Sequence, residues 1–330
     1  MTATIPDRSV RPAHTLGRWL ASIFPDGEAI DGEAPLELVA ETAEPPKLAE
    51  AAVIEGRELR AIETTEPPVV AIAAFLDGRQ ESAVKMYRPG GVPIVAGTIG
   101  AVIRERRDQR MFTWMHRVDQ RIYAPARYLS ASDRRALDAS GARVRDTTDG
   151  VADSTEHPLA LRELARNLVR NDRESLEHAL AREWCAVEAR PLLIDGGISA
   201  AQPVASSACA VGVVKSHRTL YVQGDALRVT LGLDAAERTS VFLITPEKRA
   251  PVASWYLRLR DRTGRDPMWG LVRVEVSAPR TGRQDDIGVR ADEVSRWVLA
   301  ETSPLSLPDA RWDKMVYGVR DCEEFLRAVM

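Results

Sequence analysis

The sequence predicts a mixed α/β fold in which buried strands carry acidic residues at their ends. Residues 69–79 contain an unbroken apolar run that ends at Asp77, followed by glycine, and a second apolar run reaches Asp195, again followed by glycine. Such runs are typical of strands buried on both faces. Between the two runs, residues 158–189 repeat leucines at helical spacing, which predicts a long connecting helix. Neighbouring strands of this kind would bring the two carboxylates together.

Composition limits the class of protein. The chain has 330 residues, of which 45% are hydrophobic, enough for one large or two ordinary domains. Its formal charge of -3 means that a nucleic acid would have to bind at local basic patches. The three cysteines show no Cys-x-x-Cys spacing, so neither a zinc cluster nor a disulfide framework is indicated. We expect a cytoplasmic protein without a signal peptide, a membrane span or a membrane partner.

The N-terminal unit, residues 1–66, is predicted to contain one helix and an acidic linker. Apolar residues recur at helical spacing in residues 14–24, which predicts a short amphipathic helix. Residues 28–66 hold eleven acidic and three basic residues, a net charge of -8, and several prolines. This pattern favours a solvated, partly helical linker, or an acidic arm that covers a basic groove. The main domain is then residues 67–330.

An antiparallel meander is predicted to follow the first apolar run. Residues 81–87 alternate and residues 92–103 are apolar, with Arg-Pro-Gly-Gly between them as a turn. Asp77 would then end the first of three strands. An Asp-Gly pair is also a common way to turn the chain, and a single copy favours that reading. Two copies shift the balance toward a site.

A basic stretch follows the meander. Residues 104–135 hold nine arginines and four acidic residues, a net charge of +5, interleaved with aromatic residues. Arginine and aromatic residues together are typical of surfaces that bind single strands. We therefore take Arg104, Arg106 and Arg107 as candidate DNA contacts, with an exposed charged loop as the alternative.

The long helix and the strand after it add further candidates. The pair Asn-Asp at residues 171–172 is a possible break in the helix, and Glu177 and Glu183 could each supply a third carboxylate. Residues 208–214 form an apolar run that leads to Lys215 and His217. These two side chains would share a face if the strand continues, and could bind a phosphate or position a water molecule.

The C-terminal third predicts a second hairpin and flanking helices. Residues 254–260 alternate, with Arg258 and Arg260 on one face as candidate DNA contacts, and they pair with residues 270–276. Arg273 and Glu275 fall on the same side of that hairpin, as expected of a charge pair. The remaining predicted elements are helices at 225–234, 292–301 and 322–330 and a strand at 239–245.

The order of these motifs resembles the NurA nuclease family. The motifs are Phe-x-Asp-Gly, a hairpin, a long helix, Leu-Leu-Ile-Asp-Gly, Val-Gly-Val-Val-Lys, an Arg-rich strand and Val-Arg-Val-Glu-Val. The resemblance implies an RNase H-like mixed sheet flanked by helices, DNA cleavage with Mn²⁺ or Mg²⁺, a homodimer and a HerA-type hexameric ATPase as partner. It also implies that Asp77 and Asp195 bind the metal, with Glu177 or, less well matched, Glu183, and that Lys215 is the strand-end lysine.

The sequence departs from the family pattern at two places. Arg79 and Gly197 stand where the family commonly has serine after each Asp-Gly, and the C-terminal Tyr-Pro motif is not evident. Arg79 is therefore a candidate replacement for a contact to phosphate. The departures indicate a divergent branch, working in DNA repair or in phage defence.

The candidate residues suit phosphodiester hydrolysis. Two divalent ions can activate a water molecule and stabilise the leaving oxygen, and such hard ions prefer carboxylate oxygens. Asp77, Asp195 and a helix glutamate would supply these ligands, while Lys215 or His217 would hold the phosphate. A DNA-binding adaptor that has lost its chemistry is the main alternative, and an Argonaute-like core would need a longer chain. A serine hydrolase lacks its Gly-x-Ser-x-Gly elbow here, and no phosphate-binding loop for ATP is present.

Overall fold

The fold is a mixed α/β fold built on one large sheet. We describe a computed structural model, in which the described residues are 19–24, 28–35, 45–108, 110–151, 156–279, 286–302 and 316–330. Within these ranges thirteen strands form one sheet, and β2 and β11 pair separately. The strands are β1 Glu28–Pro35, β2 Lys47–Leu48, β3 Ala52–Val53, β4 Ala61–Glu63, β5 Ala74–Arg88, β6 Val92–Arg107, β7 Arg110–Ala124, β8 Val144–Asp146, β9 Leu192–Asp195, β10 Ala210–Val214, β11 Thr219–Leu220, β12 Glu237–Thr239, β13 Phe242–Ile244, β14 Val252–Arg258 and β15 Leu271–Ser277.

Helices cover both faces of this sheet. Residues 19–23 are helical and form α1. The others are α2 Ala131–Ala139, α3 Pro158–Val187, α4 Gln202–Ala205, α5 Gly224–Gly232, α6 Asp286–Ala300 and α7 Tyr317–Val329. One buried cluster joins the sheet to α6 and α7, and a second joins it to α3. No helix among the described residues has the length and apolar character needed to cross a membrane.

The centre of the sheet has the strand order of an RNase H-like core. Strands β5, β6 and β7 form an antiparallel meander, β9 then lies parallel to β5, and β10 lies parallel to β9. The order across the sheet is therefore β7-β6-β5-β9-β10. Antiparallel neighbours need only short turns, whereas the parallel step from β7 to β9 requires a long crossover, which α3 supplies. The predicted fold class is confirmed.

The first strand of the meander is longer than predicted. β5 runs without interruption through Gly78 to Arg88, so Asp77 lies inside a strand and the prediction that it ends one is wrong. The turn reading of its Asp-Gly pair is wrong for the same reason. The chain turns only at 88–91, as predicted, where Gly90 and Gly91 both adopt positive φ. β5 continues because β6 pairs with it along nearly its whole length.

The long helix α3 is confirmed and has no break at 171–172. His157 caps the first turn of α3 by accepting a hydrogen bond from the backbone N–H of Leu159. Pro158 lacks a backbone N–H, but at the start of a helix that group would have no partner within the helix. Asp172 points into the protein, where its carboxylate pairs with Arg121 and Arg145. Because these partners neutralise it, the polar pair does not interrupt the helix.

Where it is described, the acidic segment contains strands and no helix. The prediction of partial helix is wrong for residues 28–35 and 45–66, which contain β1–β4 joined by bends and irregular chain. β3 and β4 pair with β13 and β12 of the large sheet. Glu55 holds this segment in place by a double hydrogen bond from the buried guanidinium of Arg238. The predicted helix at 14–24 is confirmed over residues 19–23, and its residues 14–18 lie outside the described ranges. The boundary at residue 66 stays a prediction.

The C-terminal hairpin and helices are confirmed. β14 and β15 pair in antiparallel register, with Tyr256 opposite Arg273 and Ser254 opposite Glu275. The Arg273 guanidinium lies 2.5 Å from the Glu275 carboxylate, which confirms the predicted charge pair. α5, α6 and α7 lie where the sequence predicted helices, although α6 and α7 each begin several residues earlier.

Candidate active site

The register of two parallel strands places Asp77 and Asp195 side by side. β5 and β9 pair with Leu76 opposite Ile194, and the two aspartates are the next residue of each strand. Neighbouring strands lie about 4.8 Å apart, and residues at matching positions point to the same face. The two carboxylates are therefore neighbours, although 118 residues separate them in sequence.

Asp77 is a buried carboxylate with a raised pKa. Its side chain is only 7% exposed, and its Oδ1 accepts a hydrogen bond of 2.8 Å from the backbone N–H of Gly78. The pKa of Asp77 is raised to about 7, first by burial and then by the negative charge of Asp195, while Lys215 opposes the shift. Glu323, on α7, adds a smaller repulsion. The aspartate thus faces the α7 side of the sheet and carries a charge that the fold only partly compensates.

Glu177 approaches the same point from the opposite face of the sheet. Leu76 packs in the cluster that contains α3, and so the alternation of the strand puts Gly78 on that face as well. A Cβ on Gly78 would overlap the Glu177 carboxylate, so the glycine is what lets this carboxylate reach the strand backbone. Burial raises the pKa of Glu177 to about 8; the charge of Arg173 opposes this rise, and that of Asp77 adds to it.

Basic side chains accompany two of the three acids. Lys215 Nζ lies 2.9 Å from Oδ1 of Asp195, and Arg173 donates to Glu177 from one helical turn earlier on α3. After Asp195 the chain continues through two glycines. Oε2 of Glu275 accepts a hydrogen bond of 2.8 Å from the backbone N–H of Ile198 and would lie 2.9 Å from a Cβ on Gly197. A serine at residue 197, as in the family pattern, would crowd this glutamate.

The three acids suit a divalent cation by chemistry but are not gathered around one point. Among the described residues, no group of three or more His, Cys, Asp or Glu side chains is arranged to hold a metal ion. Lys215 and Arg173 occupy two of the carboxylates, and Glu177 comes from the other face of the sheet. The donors are nevertheless oxygens only, and the charge repulsion that raises the pKa of Asp77 is what a bound cation would relieve. The oxygen donors therefore suit a hard cation by type, but holding one between all three acids would require Glu177 and the two basic partners to move.

Glu183 and His217 lie apart from this group. Glu183 is on α3 but pairs with Arg117 at 2.6 Å, and both side chains are well exposed. Nε2 of His217 lies 2.8 Å from the carbonyl oxygen of Leu271, and its ring packs near Tyr256. Of the two helix glutamates, it is Glu177 that the fold brings to the aspartates.

Most of the candidate DNA contacts are arginines held by ion pairs or by the main chain. Arg79 contacts Glu81 at 2.8 Å, and Arg107, which is 60% exposed, contacts Glu105 at 2.5 Å. The further contacts are Arg104 with Asp321 at 2.5 Å, Arg106 with Glu301 at 2.5 Å and Arg260 with the carbonyl of Thr302 at 2.8 Å. Their role in binding DNA stays a prediction.

The assignment of Arg258 to DNA binding is wrong. Its side chain is fully buried, and its guanidinium donates to the carbonyls of Leu231, Leu233, Pro267 and Trp269. Burial lowers the pKa of Arg258 to about 10. Arg260, predicted to lie on the same face, instead donates to the carbonyl of Thr302, and no sequence pattern marked the segments that cover Arg258.

The sequence reading missed several charged residues around the acids. Arg173 lies four residues before Glu177, a spacing that places both on one face of a helix, so this partner could have been found. Glu323 and Arg249 come from distant parts of the chain, and no local pattern marks either of them.

Comparisons with known proteins find similarity among solved structures and none among family models or curated proteins. No protein-family model matches the sequence, and no curated protein is significantly similar to it. One solved structure with a similar fold is the NurA nuclease from Sulfolobus solfataricus. The similarity covers 79% of this chain and 81% of that chain, with 11% sequence identity and a TM-score of 0.44. The fold assignment rests on the strand order given above and not on this similarity.

Proposed function

We propose that this protein is a metal-dependent deoxyribonuclease that hydrolyses phosphodiester bonds. The observation that carries the proposal is the register that sets Asp77 beside Asp195, with Glu177 lying against the glycine that follows Asp77. Asp77 on a strand and Glu177 on a helix are buried carboxylates with raised pKa values, and perturbed groups of this kind cluster at functional sites.

Mn²⁺ or Mg²⁺ is the cofactor of this proposal. Asp77 and Asp195 would hold the ion from one face, and Glu177 would complete the ligand set. A bound ion of this kind supplies charge for the attacking and leaving oxygens. Lys215, whose Nζ lies 2.9 Å from Asp195, would then be released to bind a phosphate oxygen as negative charge develops on it.

Cleavage of linear DNA with manganese tests the proposal. We expect Asp195→Asn and Glu177→Gln to lose cleavage, because each removes one charged ligand. Glu183→Gln is the matched control, since it removes the same charge from the same helix at a residue that contacts Arg117 instead. Undiminished cleavage by a folded Asp195→Asn variant would contradict the proposal.

A catalytically weak or inactive DNA-binding adaptor for a motor ATPase is the second candidate. The ion pairs of Lys215 with Asp195 and of Arg173 with Glu177 favour it, because they already compensate two of the acids without a metal. Titration calorimetry with manganese separates the two candidates. Carboxylate sites bind with dissociation constants up to the order of 1 mM, so absence of binding over that range favours the adaptor.

The proposed setting is cytoplasmic, with a HerA-type hexameric ATPase and DNA as partners and a role in DNA repair or phage defence. The three cysteines are free thiols, in keeping with a reducing compartment. We further propose a homodimer. Light scattering at micromolar concentration should give twice the mass of 36.4 kDa, and a monomer mass would contradict this part.

A further inference from the structure

A cavity of about 200 Å³ lies on the α3 side of the sheet, next to the proposed active site. We call it the α3-side cavity. Its walls come from α3, from the glycine loop after Asp195 and from the turn between β13 and β14, which contributes Arg249. Pockets for drug-sized ligands have volumes of roughly 300–1000 Å³. The α3-side cavity is smaller, so it suits one charged group better than a whole nucleoside.

Two guanidinium groups face this cavity. Arg173 is anchored from behind, with Nε donating to Gln80 at 3.1 Å and its other nitrogens near Glu174 and Glu177. Arg249 is exposed and makes no ion pair with the described residues. It lines the same cavity as Arg173.

The walls also carry acids, which limits where an anion can bind. Glu174 and Glu177 of α3 also line the cavity, and both carry negative charge when ionised. An anion would therefore bind between Arg249 and Arg173, where positive charge outweighs that of these acids. Guanidinium groups present parallel N–H donors that match the oxygens of a phosphate.

We propose that the α3-side cavity binds a backbone phosphate of the cleaved DNA strand, adjacent to the phosphate at which cleavage occurs. Arg249 is its main ligand. This inference rests on the proposed function. Arg173 would contribute a second set of donors while it holds Glu177. The contact would fix the position of the strand relative to Asp195, so its loss should weaken binding more than it slows the chemical step.

The test compares three variants in the full-length protein. Arg249→Gln removes the charge, Arg249→Lys keeps the charge but removes the forked donors, and Lys248→Gln is the matched control, since it removes the same charge from the neighbouring exposed residue outside the cavity. Binding of a fluorescent single-stranded oligonucleotide is measured by anisotropy in EDTA, where no cleavage occurs, at several salt concentrations.

We expect Arg249→Gln to weaken binding about 5- to 10-fold, as for loss of one exposed hydrogen bond, and to reduce the salt slope by about 0.7, the value for one phosphate contact on a single strand. Arg249→Lys should keep the salt slope and recover part of the affinity. Lys248→Gln should change the affinity less than about 2-fold. In cleavage assays with manganese over a range of DNA concentrations, Arg249→Gln should raise KM and leave kcat nearly unchanged.

Equal losses of affinity in Arg249→Gln and Lys248→Gln would overturn the inference, as would an unchanged salt slope in Arg249→Gln. Failure of the proposed function would look different. In that case the wild-type protein would not cleave DNA with manganese, yet the binding measurements in EDTA would still show whether Arg249 contacts a phosphate.

Discussion

Replacing Asp77 by asparagine should make the metal-free protein more stable. The wild-type carboxylate is 7% exposed, and burial together with the charge of Asp195 raises its pKa from 3.8 to about 7. Each pKa unit corresponds to about 1.4 kcal/mol, so charging this group in the folded state costs on the order of 4 kcal/mol. Asparagine has nearly the same shape, keeps the acceptor for the Gly78 N–H, and carries no charge.

The gain should depend on pH with a definite sign. An acid with a higher pKa in the folded state binds more protons when folded, so its contribution to stability rises as the pH falls. The penalty is complete above about pH 7 and vanishes below about pH 4, because the carboxyl is then protonated in both states. We expect Asp77→Asn to gain about 2–4 kcal/mol at pH 8, less than the full penalty because the amide itself is buried.

Urea unfolding in EDTA at pH 8, 6 and 4.5 measures this gain. Asp195→Asn is the comparison, because it gives up a partly exposed ion pair of 2.9 Å with Lys215, worth about 0–1 kcal/mol, and relieves only the part of the Asp77 penalty that comes from charge repulsion. Both variants should lose cleavage, and Asp77→Asn should gain more stability than Asp195→Asn. If Asp77→Asn is less stable than the wild type at pH 8, or its gain is independent of pH, the reasoning about the buried charge is refuted.

Three further predictions concern other residues. Gly78→Ala should abolish cleavage and cost about 1–3 kcal/mol in urea unfolding, because its Cβ would overlap the Glu177 carboxylate; Gly232→Ala, where a Cβ meets nothing, is the control and should not be destabilised. Arg238→Ala should lower the free energy of unfolding by about 3–5 kcal/mol in the same assay, because it leaves the carboxylates of Glu55 and Asp292 without their buried partner. A decrease below about 1 kcal/mol would contradict this. Arg258→Met should leave four carbonyls without their donor and lower the Tm; in anisotropy measurements the folded fraction should still bind DNA, whereas a specific loss of affinity would restore the surface assignment.

The sequence alone predicted the mixed α/β class of the fold and the proximity of Asp77 and Asp195. Apolar runs without polar alternation occur where strands are covered on both faces, and β5 and β9 are covered by α3 on one side and by α6 and α7 on the other. The helical repeat of 158–189 is long enough to predict a helix from the sequence. The observed helix, Pro158–Val187, agrees with those bounds to within two residues. Both patterns are local, which is why they can be read from a single chain.

Strand ends could not be read in the same way. The Asp-Gly pair at Asp77 has the composition of a turn, but β6 supplies hydrogen-bonding partners well beyond it, and the strand continues to Arg88. The same pair at Asp195 does end a strand. Gly196 adopts a φ of 128° and makes an isolated bridge to Val213, after which the chain leaves the sheet. Identical local sequence therefore had two outcomes, decided by the neighbouring strand.

Asp77, where the first apolar run ends, shows most clearly what the sequence predicts and what the tertiary structure decides. Its sequence context predicted a buried carboxylate beside Asp195, and the register of β5 and β9 agrees. Only the tertiary structure decided that Glu177 approaches from the other face, that Lys215 compensates Asp195, and that Arg249 lines the same cavity as Glu177. Helical spacing could have shown the pair of Arg173 with Glu177, but the other contacts join different elements of the chain, and packing rather than spacing sets which of these lie together.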